Sequence, residues 1–213
     1  MGEDGLDFGA AKLENVVEGA TRPFSFLSDA VLPWGAVALF VLAIVFSVWI
    51  AKRSKAPEPN WRPLSTWPLA LRAALWPLLT AFALTHAFAA GSVYYTTKIA
   101  NPSTEGYFAD IGVGRLLSLS HAHLFAHATM YFLMALLVQF TRSGRFARLW
   151  APILALWSGV FDVFSWWGLK EVSSRFEVLS AFCGSSFSLA FVLMSFAILR
   201  ESLRKDQSLF PKI

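Results

Sequence analysis

Cysteine and charge are the two things this 213-residue chain has least of. Its one cysteine, Cys183, excludes an intrachain disulfide and any cysteine-rich metal centre. Charged side chains make up 15% of the residues, against about 25% in a typical soluble domain. The shortage is uneven, because the charges sit in short clusters between long apolar runs. The net charge of +4 and the pI near 9.4 do not point to nucleic acid, since the basic residues flank apolar runs instead of forming one face. The acidic start Gly2-Glu3-Asp4-Gly5-Leu6-Asp7 differs from the basic n-region of a signal peptide, and none is expected. Internal repeats and low-complexity tracts are lacking too.

What fills the chain is hydrocarbon: 56% of the residues are hydrophobic. Five apolar runs stand out, at about 31–51, 69–97, 115–141, 149–169 and 178–199. Each is long enough to cross ~30 Å of bilayer core at ~1.5 Å per residue. Within lipid, backbone polar groups must be satisfied inside the segment, so such runs become helices. The predicted fold is therefore all-α, an integral membrane bundle of five transmembrane helices over 31–199. Residues 1–30 form an outside N-terminal segment, read as a short interfacial helix or an ordered tail, and 200–213 an inside tail. Trp61, Trp67, Tyr94 and Tyr95 suit the headgroup belts. Residues 98–114 read as a polar loop with turn chemistry at Asn101-Pro102-Ser103.

Loop charges set an orientation. Twelve Lys and Arg residues lie between runs one and two, between three and four, and after five; the other six lie on the opposite side. That asymmetry predicts an outside N-terminus and an inside C-terminus. The expected location is an integral, multi-pass position in a membrane, the inner membrane if the source is bacterial.

Ionisable groups inside a bilayer are costly and mark function by default. Here they are His86, His121, His123, His127 and Asp162, and the chain has no other histidine. Counting rise per residue puts His86 ~13 Å, His123 ~12 Å and Asp162 ~10 Å below the outer ends of their runs. His123 and His127 share one helix face, which continues through Met130 and Met134. His121 points roughly the other way. A face of run four reads Ser158, Asp162, Ser165. Asp162 calls for a partner, either a histidine or Lys170. Spans two and three, joined by a short outer loop, are expected as neighbours. His86 is expected to face His123 or His127 across a shared pocket.

The structural alternatives are concrete. An intramembrane histidine often serves as an interhelical hydrogen-bonding residue, and that reading fits His121 best. For the His123/His127 pair the balance is even, because two polar rings on one apolar face are expensive without a ligand. Met130 and Met134 read as core. Ser180, Gly184 and Ser188 read as a packing face, with Cys183 a small buried residue beside it.

Three functions remain open. The favoured one is a membrane electron-transfer subunit, binding haem b through His86, His123 and His127. The run Ser120-His121-Ala122-His123-Leu124-Phe125-Ala126-His127 resembles histidine-bearing helices of membrane cytochromes and of the wider haem-copper oxidase group, over one helix of the five. The second is a zinc or copper site built from His86, His123, His127 and Asp162. It includes a membrane hydrolase, for which the residue types resemble the ceramidase type without its seven spans or motif order. The third has no cofactor: a non-catalytic accessory or assembly subunit of a larger membrane complex. The expected partners are the lipid bilayer, other membrane subunits and a quinone.

Overall fold

The computed structural model describes residues 26–53, 61–101 and 103–204. The N-terminal segment up to residue 25 and the last nine residues lie outside it, and with them most of the expected interfacial helix and tail. Six α-helices follow in order: α1 (Leu32–Arg53), α2 (Leu69–Tyr94), α3 (Thr104–Asp110), α4 (Val113–Gln139), α5 (Ala151–Glu171) and α6 (Glu177–Ser202). With their attached turns, all but α3 form spans of 25 to 31 residues, long and apolar enough to cross a membrane. Among the described residues there is no strand. The short α3 lies inside the segment read as a polar loop. Ser103 starts it by accepting the Gly106 N–H at 3.0 Å, which satisfies a donor that the first helical turn leaves open.

Packing makes α5 the central helix. It lies against α1, α4 and α6, and half of its apolar window is buried, against 11% for the α2 span. Small residues let α5 approach its neighbours: Ala155, Ser158 and Ser165 are fully buried, and a Cβ at Gly168 would collide with the Phe176 ring. The buried stripe of α6 is Leu179, Cys183, Ala190, Met194 and Ile198. Ser188 is exposed and bonds its own helix at Gly184. The packing face is thus displaced from the Ser180-Gly184-Ser188 row by about one residue, and apolar bulk decides it.

Spans two and three are not close neighbours. α2 lies along α6, and its backbone does not run alongside α4. Side chains from α2, α4 and α6 fill the gap instead. Polar contacts tie both ends of the α2 span to α6. At the α3 end, Lys98 pairs with Glu177 at the start of α6, 3.0 Å away. At the opposite end, the Arg72 guanidinium donates to the carbonyls of Ser202, Arg204 and Ser65.

A second polar knot sits at that opposite end. Glu201, only 3% exposed, accepts the Ser65 hydroxyl at 3.0 Å and the Arg142 backbone N–H at 3.2 Å. Arg204 reaches Oε2, the oxygen that also accepts the Arg142 N–H, at 3.3 Å. The Leu64 N–H also bonds the Phe140 carbonyl at 2.9 Å. Two connections, α1–α2 and α4–α5, are thereby gathered with the end of α6 at one end of the bundle.

The apolar core divides in two. One cluster includes Phe40, Leu116, Phe161, Leu179 and Cys183 towards the α3 end. The other includes Leu79, Tyr131, Met134, Ala155 and Met194 towards the opposite end. Met130 and Met134 belong to that second core, and both are buried.

Candidate functional site: a polar row at the seam of two cores

The ionisable residues meet where the two apolar clusters join. α4 presents His123, His127 and Tyr131 at successive four-residue steps, so the three rings stack along one face. The His123 and His127 rings are 5.5 Å apart, and the His127 and Tyr131 rings 4.4 Å apart. From α2, His86 places Nε2 2.6 Å from the Tyr131 hydroxyl. From α5, Asp162 places Oδ2 3.5 Å from His123 Nε2. From α6, Ser180 donates its hydroxyl to Asp162 Oδ1 at 2.9 Å. The result is a row across four helices: His86, Tyr131, His127, His123, Asp162, Ser180.

Each member is held from behind. His86 Nδ1 lies 3.0 Å from the Phe82 carbonyl one turn back on its own helix. Its ring stacks on Phe191 at 4.4 Å and tilts against Phe187 at 5.6 Å. His127 Nε2 donates to the Ala155 carbonyl at 3.1 Å. The ring also fills the space over Gly159, where any Cβ would overlap it. The Tyr131 oxygen lies 3.0 Å from the Phe187 carbonyl. Ser165 donates to the Asp162 carbonyl at 2.5 Å, and Trp166 tilts against His123 at 4.8 Å.

His123 and Asp162 are the loose link. Their closest atoms stand within charge-contact range, yet His123 Nε2 is buried and makes no hydrogen bond. At 3.5 Å and without alignment this is a contact between polar groups rather than a formed bond. The His123 side chain remains 31% exposed, and His86 and Ser180 are half-buried. The row is therefore not sealed inside the described bundle.

The expected site residues fall as follows. His123, His127 and Asp162 converge on the seam, and His86 points into the bundle, where it meets Tyr131. Among the described residues no group of three or more His, Cys, Asp or Glu comes close enough to share a metal ion. His86, His123, His127 and Asp162 are strung along a row, with the Tyr131 ring between His86 and His127. Asp162 finds its partners in Ser180 and His123, while Lys170 reaches the Ala109 carbonyl at 3.2 Å. His121 is exposed and makes none of the described side-chain hydrogen bonds.

Two members escape the sequence reading. Tyr131 lies four residues beyond His127, so the spacing that pairs His123 with His127 could have found it; that reading continues the face through methionines. Ser180 looked like a small packing residue and turns out to be the Asp162 partner. Gly159 and Phe187 carry no signal in one dimension.

No curated protein and no solved structure matches this chain. A family model does, over residues 92–209, more than half of the chain. The match takes in Tyr131, His127, His123, Asp162 and Ser180, and begins beyond His86. The chain belongs to the Aq_1264_TM family, described as a transmembrane helical domain, and is an integral, multi-pass membrane protein.

Proposed function

We propose that this protein is a membrane subunit of an electron-transfer complex, and that its polar row binds a lipid-dissolved quinone and exchanges protons with it. The observation that carries the reading is the row itself: three imidazoles, a phenol, a carboxyl group and a hydroxyl brought side by side from four apolar helices. Histidine and carboxyl chains inside a bilayer mark proton relays and substrate paths. A quinone reaches such a site through the lipid and offers two carbonyl oxygens to N–H and O–H donors. Its flat ring suits the aromatic surroundings of Phe187 and Trp166. Quinol oxidation releases two protons and two electrons. The row supplies proton acceptors, and the electrons pass to a one-electron centre on a partner subunit. The outward-facing His121, an imidazole at span depth, supports contact with such a partner.

Binding of a short-tailed quinone to the purified protein in detergent tests this reading. Saturable binding is expected, weakened about tenfold by His123→Ala, which is the loss of ~1.4 kcal/mol of hydrogen bonding. His121→Ala should leave it unchanged. Binding that is absent, or indifferent to His123→Ala, overturns the reading. An optical spectrum of the same sample separates the haem alternative, because a Soret band that disappears in His86→Ala and His123→Ala belongs to haem b.

A further inference from the structure

We propose that His86 and Tyr131 act together as a one-proton acceptor that loads without moving a heavy atom. The argument is a count of donors against acceptors. The Phe82 carbonyl lies 3.0 Å from His86 Nδ1. A carbonyl can only accept, so that nitrogen carries a hydrogen. Neutral His86 then has a bare lone pair on Nε2, which takes the one phenolic hydrogen of Tyr131 across 2.6 Å. The opposite neutral tautomer would set two lone pairs against each other at Phe82 and is excluded.

In this neutral state the Phe187 carbonyl, 3.0 Å from the Tyr131 oxygen, receives nothing from the phenol. Adding one proton to His86 Nε2 changes the pattern. Nε2–H now donates to the Tyr131 oxygen, and the hydroxyl rotates to donate to Phe187. Every N–H and O–H has an acceptor in both states, and all the distances are already within reach. The charged state gains one hydrogen bond.

The surroundings are otherwise sparse in charge. α4 presents His127 and His123 beyond Tyr131, and α5 presents Asp162 at the far end of the row. α6 faces His86 with Phe187 and Phe191, and Cys183 is the ionisable residue of α6 nearest that level. The assignment rests on the proposed proton-exchanging role of the row and gives one acceptor a definite address.

Histidine-specific ¹⁵N labelling in liposomes, read by solid-state NMR across pH, tests it without any quinone. With four histidines in the chain, single substitutions to Gln assign each signal. The expected result is an Nδ1–H neutral tautomer for His86 at alkaline pH and a doubly protonated ring on acidification. The Tyr131 C–O infrared band should shift in the same step, with one proton taken up. In Tyr131→Phe, which keeps the ring in place, the His86 step should move by about one pH unit or more, the change expected when a charge-assisted hydrogen bond of ~1.4 kcal/mol is lost. An Nε2–H neutral tautomer, a His86 that does not titrate, or a titration that leaves the Tyr131 band unmoved overturns the proposal. Because the experiment contains no quinone, its failure is distinct from failure of quinone binding.

Discussion

Gly159 illustrates how a residue without a side chain can position one that has chemistry. The His127 imidazole occupies the volume a Cβ would take, and from there Nε2 reaches the Ala155 carbonyl at 3.1 Å. That bond places the hydrogen on Nε2 and leaves Nδ1 as an acceptor. Gly159→Ala must displace the ring, since the backbone of the central helix is packed on several sides. Overfilling a packed core costs about 1–3 kcal/mol. A lowered thermal midpoint in detergent is expected, and it should be largely relieved when His127→Ala is added, because the clashing partner is gone. A Gly159→Ala protein as stable as the parent would mean that the ring can move aside freely.

At the scale of elements, interhelical hydrogen bonds and close packing must do the work, because lipid tails are as apolar as the helix faces and give no hydrophobic drive to association. The tightest set is the knot around Glu201, where one buried carboxylate satisfies a hydroxyl, a backbone N–H and an arginine from three segments. Removing it leaves the Ser65 hydroxyl and the Arg142 N–H without their acceptor. Arg142 and Arg204 are themselves partly exposed, with 52% and 38% of their side chains accessible, and can turn to water. The expected cost of Glu201→Ala is therefore about 1–3 kcal/mol rather than the larger penalty of stranding a fully buried charge. Limited proteolysis should cut the Thr141–Arg145 connection faster in Glu201→Ala, with Glu201→Gln intermediate. Equal cutting rates would remove the knot from the list of forces holding the loops.

For the whole molecule, the basic residues make a vectorial statement. Arg72, Arg142 and Arg204 converge on one end of the bundle around Glu201 and the end of α6, and Lys52 and Arg53 lie over Trp150 and Trp49. We expect that end to face the inside, as the excess of Lys and Arg requires. The chain suits a cysteine-labelling test, since its one native thiol, Cys183, is buried. A cysteine placed at position 145 should react with an impermeant reagent only from the inside, and one at position 110 only from the outside. Reaction of position 145 from the outside alone would invert the topology, and with it the side to which the polar row opens.

The sequence by itself determined the number of spans and their helical character. Each of these follows from local quantities: the length of an apolar run, the demand that lipid places on the backbone, and the rise per residue. It also determined that His123 and His127 share a face, because helical spacing is local geometry. Which helices adjoin one another was decided only in three dimensions. α2 packs on α6 rather than on α4, the next span in the chain, and Arg72 and Lys98 tie the two ends of its span to the ends of α6. Tyr131 therefore stands between His86 and the other histidines, and Ser180 reaches Asp162. Partners such as Tyr131–His86, Ser180–Asp162 and Gly159–His127 come from different helices, 45, 18 and 32 positions apart. Nothing in a one-dimensional pattern of apolar and polar residues specifies the rotation of one helix against another, and that rotation turned a set of candidate ligands into a row.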